Sequence, residues 1–474
     1  MSNAKKATGP LKVSVLNSRY FEDTSCGKIV YITGTHTWNN FQDRGSVHPS
    51  LDYDAYLDFL NKYNMNFMRL WAWEHARWAP WSSKDNFFNE PMPYNRTGAG
   101  NAMDGRAKFD LDSWNQEYFD RIAERVEKAL HKGVYVDVMM FSGCSLGNRD
   151  WPEKDAETDE AVKNPWDSHP FYKYNNINGI DGDMDGDGQG WELRDVKCSD
   201  ILDRQKALIR KIIDTINHYD NVLYEIANED PFNTWEWQYA MINYIKEYES
   251  KKQKQHPVGM TASWKQPNDI MYQSPADWIS PYYNEDEALS PMTAPGGKVW
   301  VADTDHVFPN MGATMDFTWK AFLRGANIIS MDNFKTGAAW AYFYKKAGGN
   351  VTKYEKEKIK RLSENDFSAT IGDLAQKHTR MFADRMDLKK AAPHNELSST
   401  GYCLADPGRE YLIYQPDLTW ITVGLSDAAG EFTVEWFNPV TEEVKHDGTI
   451  TGGDRNQKFI LPFETAVLYL KTRD

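Results

Sequence analysis

From residue 28 onward the chain alternates between short, continuously apolar runs and longer stretches with a helical period. KIVYITGTHTW (28–38) predicts a strand, and DYDAYLDFLNKYN (52–64) predicts a helix with Tyr53, Tyr56, Leu57 and Leu60 on one face. Strand runs recur at NFMRLWAWE (66–74), VYVDVMMFSG (134–143), NVLYEIANED (221–230), VGMTASW (258–264), DWISPYYN (277–284), KVWVADTDH (298–306) and ANIISMDNF (326–334). Helical patterns fall between many of them, at 115–133, 200–219 with Asp200 as N-cap, 234–252 and near 314–324. Apolar strands that alternate with helices pair in parallel. Eight such units close into a (β/α)8 barrel, an α/β fold. No GxGxxG follows the first strand, which argues against an open dinucleotide-binding sheet.

Past a helix at 368–386 the pattern switches to period two, with Asp, Gly and Pro turns, as in GYCLADPGREYLIYQP (401–416). Three regions are expected: strands at the base of the barrel in 1–27, the barrel in 28–388, and a small all-β sandwich in 389–474.

Composition narrows the function. A net charge of −15 over 474 residues argues against nucleic acid and anionic membrane surfaces as partners. No run reaches the roughly 18 apolar residues of a membrane helix. Eighteen Trp and twenty-five Tyr exceed what a core of this size needs, and flat rings stack on sugar faces. The four cysteines, Cys26, Cys144, Cys198 and Cys403, have neither a disulfide framework nor zinc spacing. MSNAKKATGP at the start lacks an apolar core, so a secreted or periplasmic location rests on an export signal absent from this chain. A monomer is expected.

In such barrels chemistry sits at the C-terminal strand ends. These offer His36, Trp38 and Asn39; Arg69, Trp71, Trp73 and Glu74; Asn228 and Glu229; Trp264; Tyr282 and Tyr283; Asp303, Asp305 and His306; and Asp332 and Asn333. They make one mouth with carboxylates and a ring of tryptophans. Two carboxylates across an aromatic cleft are what glycoside hydrolysis needs. A strand-end Glu229 beside Trp would suit a general acid. No HxH or histidine cluster supports a metal-dependent hydrolase.

YEIANED (224–230) resembles the fourth-strand signature of the clan-A (β/α)8 glycoside hydrolases, the group that contains the family 5 cellulases. That resemblance implies Asn228 as a sugar-hydroxyl contact and Glu229 as acid/base. It implies Arg69 near the nucleophile and Tyr282 or Tyr283 as the nucleophile's partner. The clan's nucleophile is a Glu ending the seventh strand, and KVWVADTDH has none. Asp303 takes its place by register. Asp305, two residues on and on the same side of an extended strand, is the alternative, with the other aspartate as hydrogen-bond partner beside His306. GTHTWNNFQD (34–43), DTDH (303–306) and FTVEWFNPVTEE (432–443) together resemble apiosidase-like barrels that carry a collagen-binding-like β-domain. An accessory domain that buttresses the barrel is the expectation for that tail.

DGDMDGDGQGWE (181–192) lies in the long segment 143–198 between the third strand and the next helix. Asp181, Asp183, Asp185, Gly186 and Glu192 fit D-x-D-x-D-G-x5-E, with Asp187 carrying position 7. Such a loop wraps calcium, whose role here would be structural. YKYNNINGI before it is not a helix, so no EF-hand is expected, and a solvated Asp/Gly turn is the alternative. The reading as a whole is a retaining glycosidase acting on plant or microbial oligo- or polysaccharide. It needs no catalytic cofactor, Trp38, Trp71, Trp73 and Trp264 form its stacking walls, and His36, Asn39 and His306 help bind the sugar. The rival is a non-catalytic sugar-binding protein on the same barrel.

Overall fold

The computed structural model describes residues 6–43, 51–78, 88–147, 154, 161, 163–231, 233–263, 267–307, 314–331, 371–416, 419–426, 428–453 and 456–473. Trp264, Asp332 and Asn333 lie outside them. Eight parallel strands close into a barrel: Thr33–His36, Phe67–Leu70, Tyr135–Ser142, Val222–Asn228, Val258–Thr261, Trp278–Ser280, Val299–Asp303 and Asn327–Met331. The last pairs with the first, Met331 opposite His36. Helices pack around this ring. Helix Tyr53–Lys62 starts where Asp52 accepts from the Ala55 amide, and it buries the predicted face of Tyr53, Tyr56, Leu57 and Leu60. Helix Gln116–His131 buries Tyr118, Phe119, Ile122 and Val126, each large side chain contributing roughly 1.5–3 kcal/mol. Helix Ser199–Ile216 begins one residue earlier than expected. Cys198 holds the cap position without a side-chain bond, and Asp200 lies in the first turn.

Two expected strands are shorter, for identifiable reasons. The run at 28–38 splits. Ile29–Val30 pairs antiparallel with Phe21–Asp23, which also pairs with Leu11–Val13. This small sheet closes the barrel's N-terminal end, where Leu11, Phe21 and Ile32 pack with Phe67, Leu223, Trp278 and Ile329. The run at 66–74 stops at Leu70 because side chains replace the ladder. Asn40 Oδ1 accepts from the Trp71 amide at 2.9 Å and Gln42 Oε1 from the Trp73 amide at 2.6 Å. A hairpin of Tyr94–Asn101 and Ala107–Trp114, not anticipated from the sequence, is inserted before the second helix.

The C-terminal domain has a six-stranded antiparallel sheet whose inner strands are Cys403–Asp406, Glu410–Gln415, Ala466–Thr472 and Glu431–Phe437. A pair, Trp420–Val423 with Gln457–Ile460, contributes to the same hydrophobic core. Alternation decides which residue faces what. Cys403, Ala405, Tyr411, Ile413, Leu468 and Leu470 fill the domain's own core. Their neighbours Leu404, Leu412, Tyr414, Val467 and Tyr469 pack on Trp319, Phe322 and Phe382 of helices Met315–Leu323 and Ile371–Arg385. Both faces are buried, so the domain is fixed to the barrel rather than tethered to it.

Candidate active site

The fourth strand ends at Asn228, and Glu229 follows with φ of 49°. A non-glycine residue in the left-handed region is costly, and such strain gathers at functional positions. The seventh strand ends at Asp303, and Thr304–His306 then forms a single tight helical turn. The extended geometry expected for Asp305 is therefore replaced. Asp303 caps the turn, its Oδ1 accepting from the Asp305 amide at 2.9 Å. The turn brings Asp305 and His306 to Glu229, where one carboxylate oxygen of each acid and a nitrogen of His306 all lie within 4.8 Å of one another.

Of the two seventh-strand aspartates, Asp305 is the one that clusters with Glu229 and His306. Asp303 is fully buried, at 0% exposure, against 7% for Asp305. Its Oδ2 accepts from Arg69 Nη1 at 2.6 Å, and its Oδ1 meets His36 Nε2 at 2.9 Å. Burial alone would push its carboxyl up. His36 and the Arg69 guanidinium outweigh that and hold it below the usual carboxylate range. Burial lowers His36 in turn, so the neutral ring donates Nε2–H to Asp303, and its Nδ1 has no partner among the described residues. Asp305 goes the other way. Burial, then the charges of Glu229 and Asp303, push its carboxyl well above the ordinary range.

His306 is pushed down to about 4, chiefly by burial. As a neutral ring it meets Asn228 Oδ1 through Nε2 at 3.2 Å and Ser280 Oγ through Nδ1 at 3.1 Å. Asn228 Oδ1 can only accept, which puts the ring proton on Nε2. The Asn228 Nδ2 donor is buried without a partner among the described residues, as are Trp71 Nε1 and Asn39 Nδ2. Buried donors left unmet by the protein are the groups a polyhydroxylated ligand would satisfy.

Arg69 is more deeply engaged than its sequence suggests. Besides Asp303 it reaches Glu225 Oε2 at 2.6 Å and Asp137 at 3.6 Å through Nε. Burial and then the Glu225 charge push Asp137 well up, so it is the neutral member of this group. Sequence reasoning passed over both acids. The signal was a lone carboxylate inside each of two apolar runs, VYVDVMMF and VLYEIAN, where a buried charge requires a partner.

The expected stacking walls are not open surfaces. Trp71 and Trp73 are buried and pack on one another at 5.4 Å and on Trp38 at 6.3 and 6.2 Å, while His36 stacks on Trp71 at 5.3 Å. They form the packed wall beneath the mouth. Among the described residues the exposed indoles are Trp191 at 41%, Trp235 at 38% and, in the C-terminal domain, Trp420 at 47%, none of which sequence reasoning singled out. Tyr283 packs edge-on against Phe317, and its hydroxyl has no hydrogen-bond partner among the described residues; Tyr282 bonds Asn268 through its backbone.

The long segment 143–198 is anchored by a second ion network. Arg194, fully buried, pairs with Glu74 Oε2 at 2.5 Å and with Asp230 at 3.0 Å, and lies over the Trp237 ring at 4.5 Å. Burial raises the Glu74 carboxyl, but Arg194 and then His169 bring it down to about 2. The acidic loop ahead of Arg194 gathers three of its five predicted ligands. Oxygens of Asp183, Asp185 and Glu192 lie within 4.8 Å of one another. Asp181 instead pairs with Lys173 at 3.1 Å, and Asp187 accepts from the Gln189 amide and side chain. The loop wraps an apolar anchor of Trp166, Phe171 and Leu193. At Gly190, with φ of 66°, a Cβ would lie 2.5 Å from the Trp166 ring.

No family model matches the chain, and no curated protein matches it. Solved structures do. A glycoside hydrolase aligns over 99% of both chains with a TM-score of 0.60 and 11% identity. A glycoside hydrolase family 5 protein from Bacteroides vulgatus ATCC 8482 aligns over 99% of this chain and 95% of its own, with a TM-score of 0.63 and 11% identity. The fold is shared. At this identity the likeness concerns the fold, barrel and β-domain together.

Proposed function

We propose that the protein is a retaining glycoside hydrolase of plant or microbial oligo- or polysaccharide, with Glu229 and Asp305 as its reacting carboxylates. The observation that carries this is their approach, oxygen to oxygen within 4.8 Å, at the C-terminal mouth of the barrel. Retaining glycosidases hold their carboxyls about 5 to 5.5 Å apart, and inverting ones leave roughly 6.5 Å or more for a water. Arg69 and His36 meanwhile occupy Asp303, which serves as a support.

In the first step Glu229 protonates the leaving oxygen while Asp305 attacks C1, and the C1–O electron pair departs with that oxygen. In the second step water, deprotonated by Glu229, displaces Asp305. Asn228, held by His306, presents Nδ2 to a sugar hydroxyl. The exposed Trp191 and Trp235 supply stacking faces.

A second reading exchanges the two roles. It is favoured by the upward push on Asp305, which suits that carboxyl to carry a proton in the free protein. The test is a panel of aryl glycosides with leaving groups of graded acidity. Without its general acid a glycosidase still cleaves activated substrates, and without its nucleophile it cleaves none. Glu229→Gln should retain activity on the best leaving groups only, and Asp305→Asn should lose activity on all. The opposite pattern exchanges the roles. Full activity in both variants, or sugar binding with no turnover in the wild type, sinks the proposal.

For the acidic loop we propose a structural hard cation, calcium by its oxygen ligands, held by Asp183, Asp185 and Glu192.

A further inference from the structure

We propose that Cys144 is a positioning residue for Glu229: its thiol holds one carboxylate oxygen, so the other exchanges the proton with the substrate. The inference rests on the reading of Glu229 as the acid/base. Cys144 Sγ donates to Glu229 Oε2 at 3.2 Å, and both residues are buried. The two groups are carried by neighbouring strand ends. The third and fourth barrel strands stay paired as far as Ser142 opposite Asn228, and Cys144 sits in the tight turn Gly143–Ser145 just beyond. The turn is itself fixed, since Ser145 Oγ accepts from the Glu74 amide at 2.9 Å and meets His75 Nδ1 at 2.9 Å. The thiol therefore cannot follow Glu229 if that side chain rotates.

Described neighbours of Glu229 include further acids and a neutral ring. Asp305 and His306 come from the seventh-strand turn, and Asp230 follows Glu229 in the chain with its own charge taken by Arg194. Among them the Cys144 thiol is a donor to the carboxylate that does not itself change charge. When Glu229 gives its proton to the leaving oxygen, Oε2 gains negative charge and the S–H···O bond strengthens. The thiol keeps its proton throughout. A bond that is stronger in the transition state than in the ground state raises kcat more than it lowers KM.

Two measurements test this. Infrared difference spectra of wild type minus Cys144→Ala isolate one S–H stretching band. The band is expected below that of a free thiol, and it should move when Glu229→Gln replaces the carboxyl that accepts the bond. A band at the free-thiol position, unmoved by Glu229→Gln, overturns the contact. On a p-nitrophenyl glycoside that the wild type cleaves, Cys144→Ala should lower kcat about five- to ten-fold, the loss of one hydrogen bond to a charged group. KM should stay within about two-fold, and Cys144→Ser should restore most of the rate. Unchanged kcat in Cys144→Ala, or a Ser variant no better than Ala, overturns the positioning role. Should Glu229→Gln keep full activity, the acid/base reading fails instead, while the infrared shift still reports the contact.

Discussion

The barrel mouth and the 181–192 loop both gather carboxylates within 4.8 Å of one another, yet they do so in different surroundings. At the mouth all the acids are buried; Arg69 and His36 hold Asp303 ionised, while burial beside Glu229 pushes the Asp305 carboxyl up. In the loop Asp183 is buried, Asp185 exposed and Glu192 half-buried, and the acids bond amides of their own turn, such as the Asp185 amide to Glu192 and the Gly188 amide to Asp183. At the mouth burial and charged neighbours drive like groups apart in their readiness to hold a proton.

The largest contrast comes from removing one acid from each cluster. Asp305→Asn should cost roughly 10³-fold or more in kcat, whereas Asp183→Asn should leave kcat within a few-fold, both read on the same aryl glycoside. Next is the cation beneath the mouth. Arg69→Met leaves Asp303 and Glu225 buried without their partner, and should lower stability by about 3–5 kcal/mol in denaturant unfolding. Loss of activity with unchanged stability would mean that Arg69 serves substrate rather than its neighbours.

Smaller, and dependent on pH, is the Glu74–Arg194 pair that ties the loop segment to the mouth. Its carboxyl is depressed to about 2, so the pair contributes stability above the ordinary glutamate pKa and loses it as pH falls toward 2. The stability difference between wild type and Glu74→Gln should be constant above about pH 5 and shrink steadily below it. A difference that grows on acidification contradicts the pairing. Smallest is chelation. EDTA should lower the melting temperature by a few degrees, an effect absent in Asp183→Asn. No shift in the wild type returns the loop to a solvated turn held by its Trp166 anchor.

The fold was legible because each barrel strand is a continuous apolar run between helical patterns, and parallel strands covered on both faces must read that way. What escaped was decided by single side chains acting at a distance. Asn40 and Gln42 end the second strand early by taking the amides of Trp71 and Trp73. No local pattern announces such a substitution for the ladder. The inserted hairpin was missed although its Asp104-Gly105 turn was visible.

In the site, the fourth-strand Asn228–Glu229 pair and Arg69 were found where the strand-end rule puts them. The choice between Asp303 and Asp305 was not readable. It depends on Asp303 capping a turn and on Arg69 crossing the barrel to reach it, both products of closure. The tryptophans were read by type alone. Burial packed Trp71 and Trp73 into the wall and left Trp191 and Trp235 exposed.

The central claim is that Asp305, across from Glu229, forms the covalent bond to the sugar. Incubation with an activated 2-deoxy-2-fluoro glycoside of a cleaved sugar, followed by peptide mass spectrometry, reads this directly, because the fluorine slows release of the glycosyl-enzyme. The account predicts one sugar adduct, on the peptide that carries Asp305 and localised to that residue by fragmentation. An adduct on Asp303, or none at all with inverted product, would contradict it, and an adduct on Glu229 would exchange the two roles.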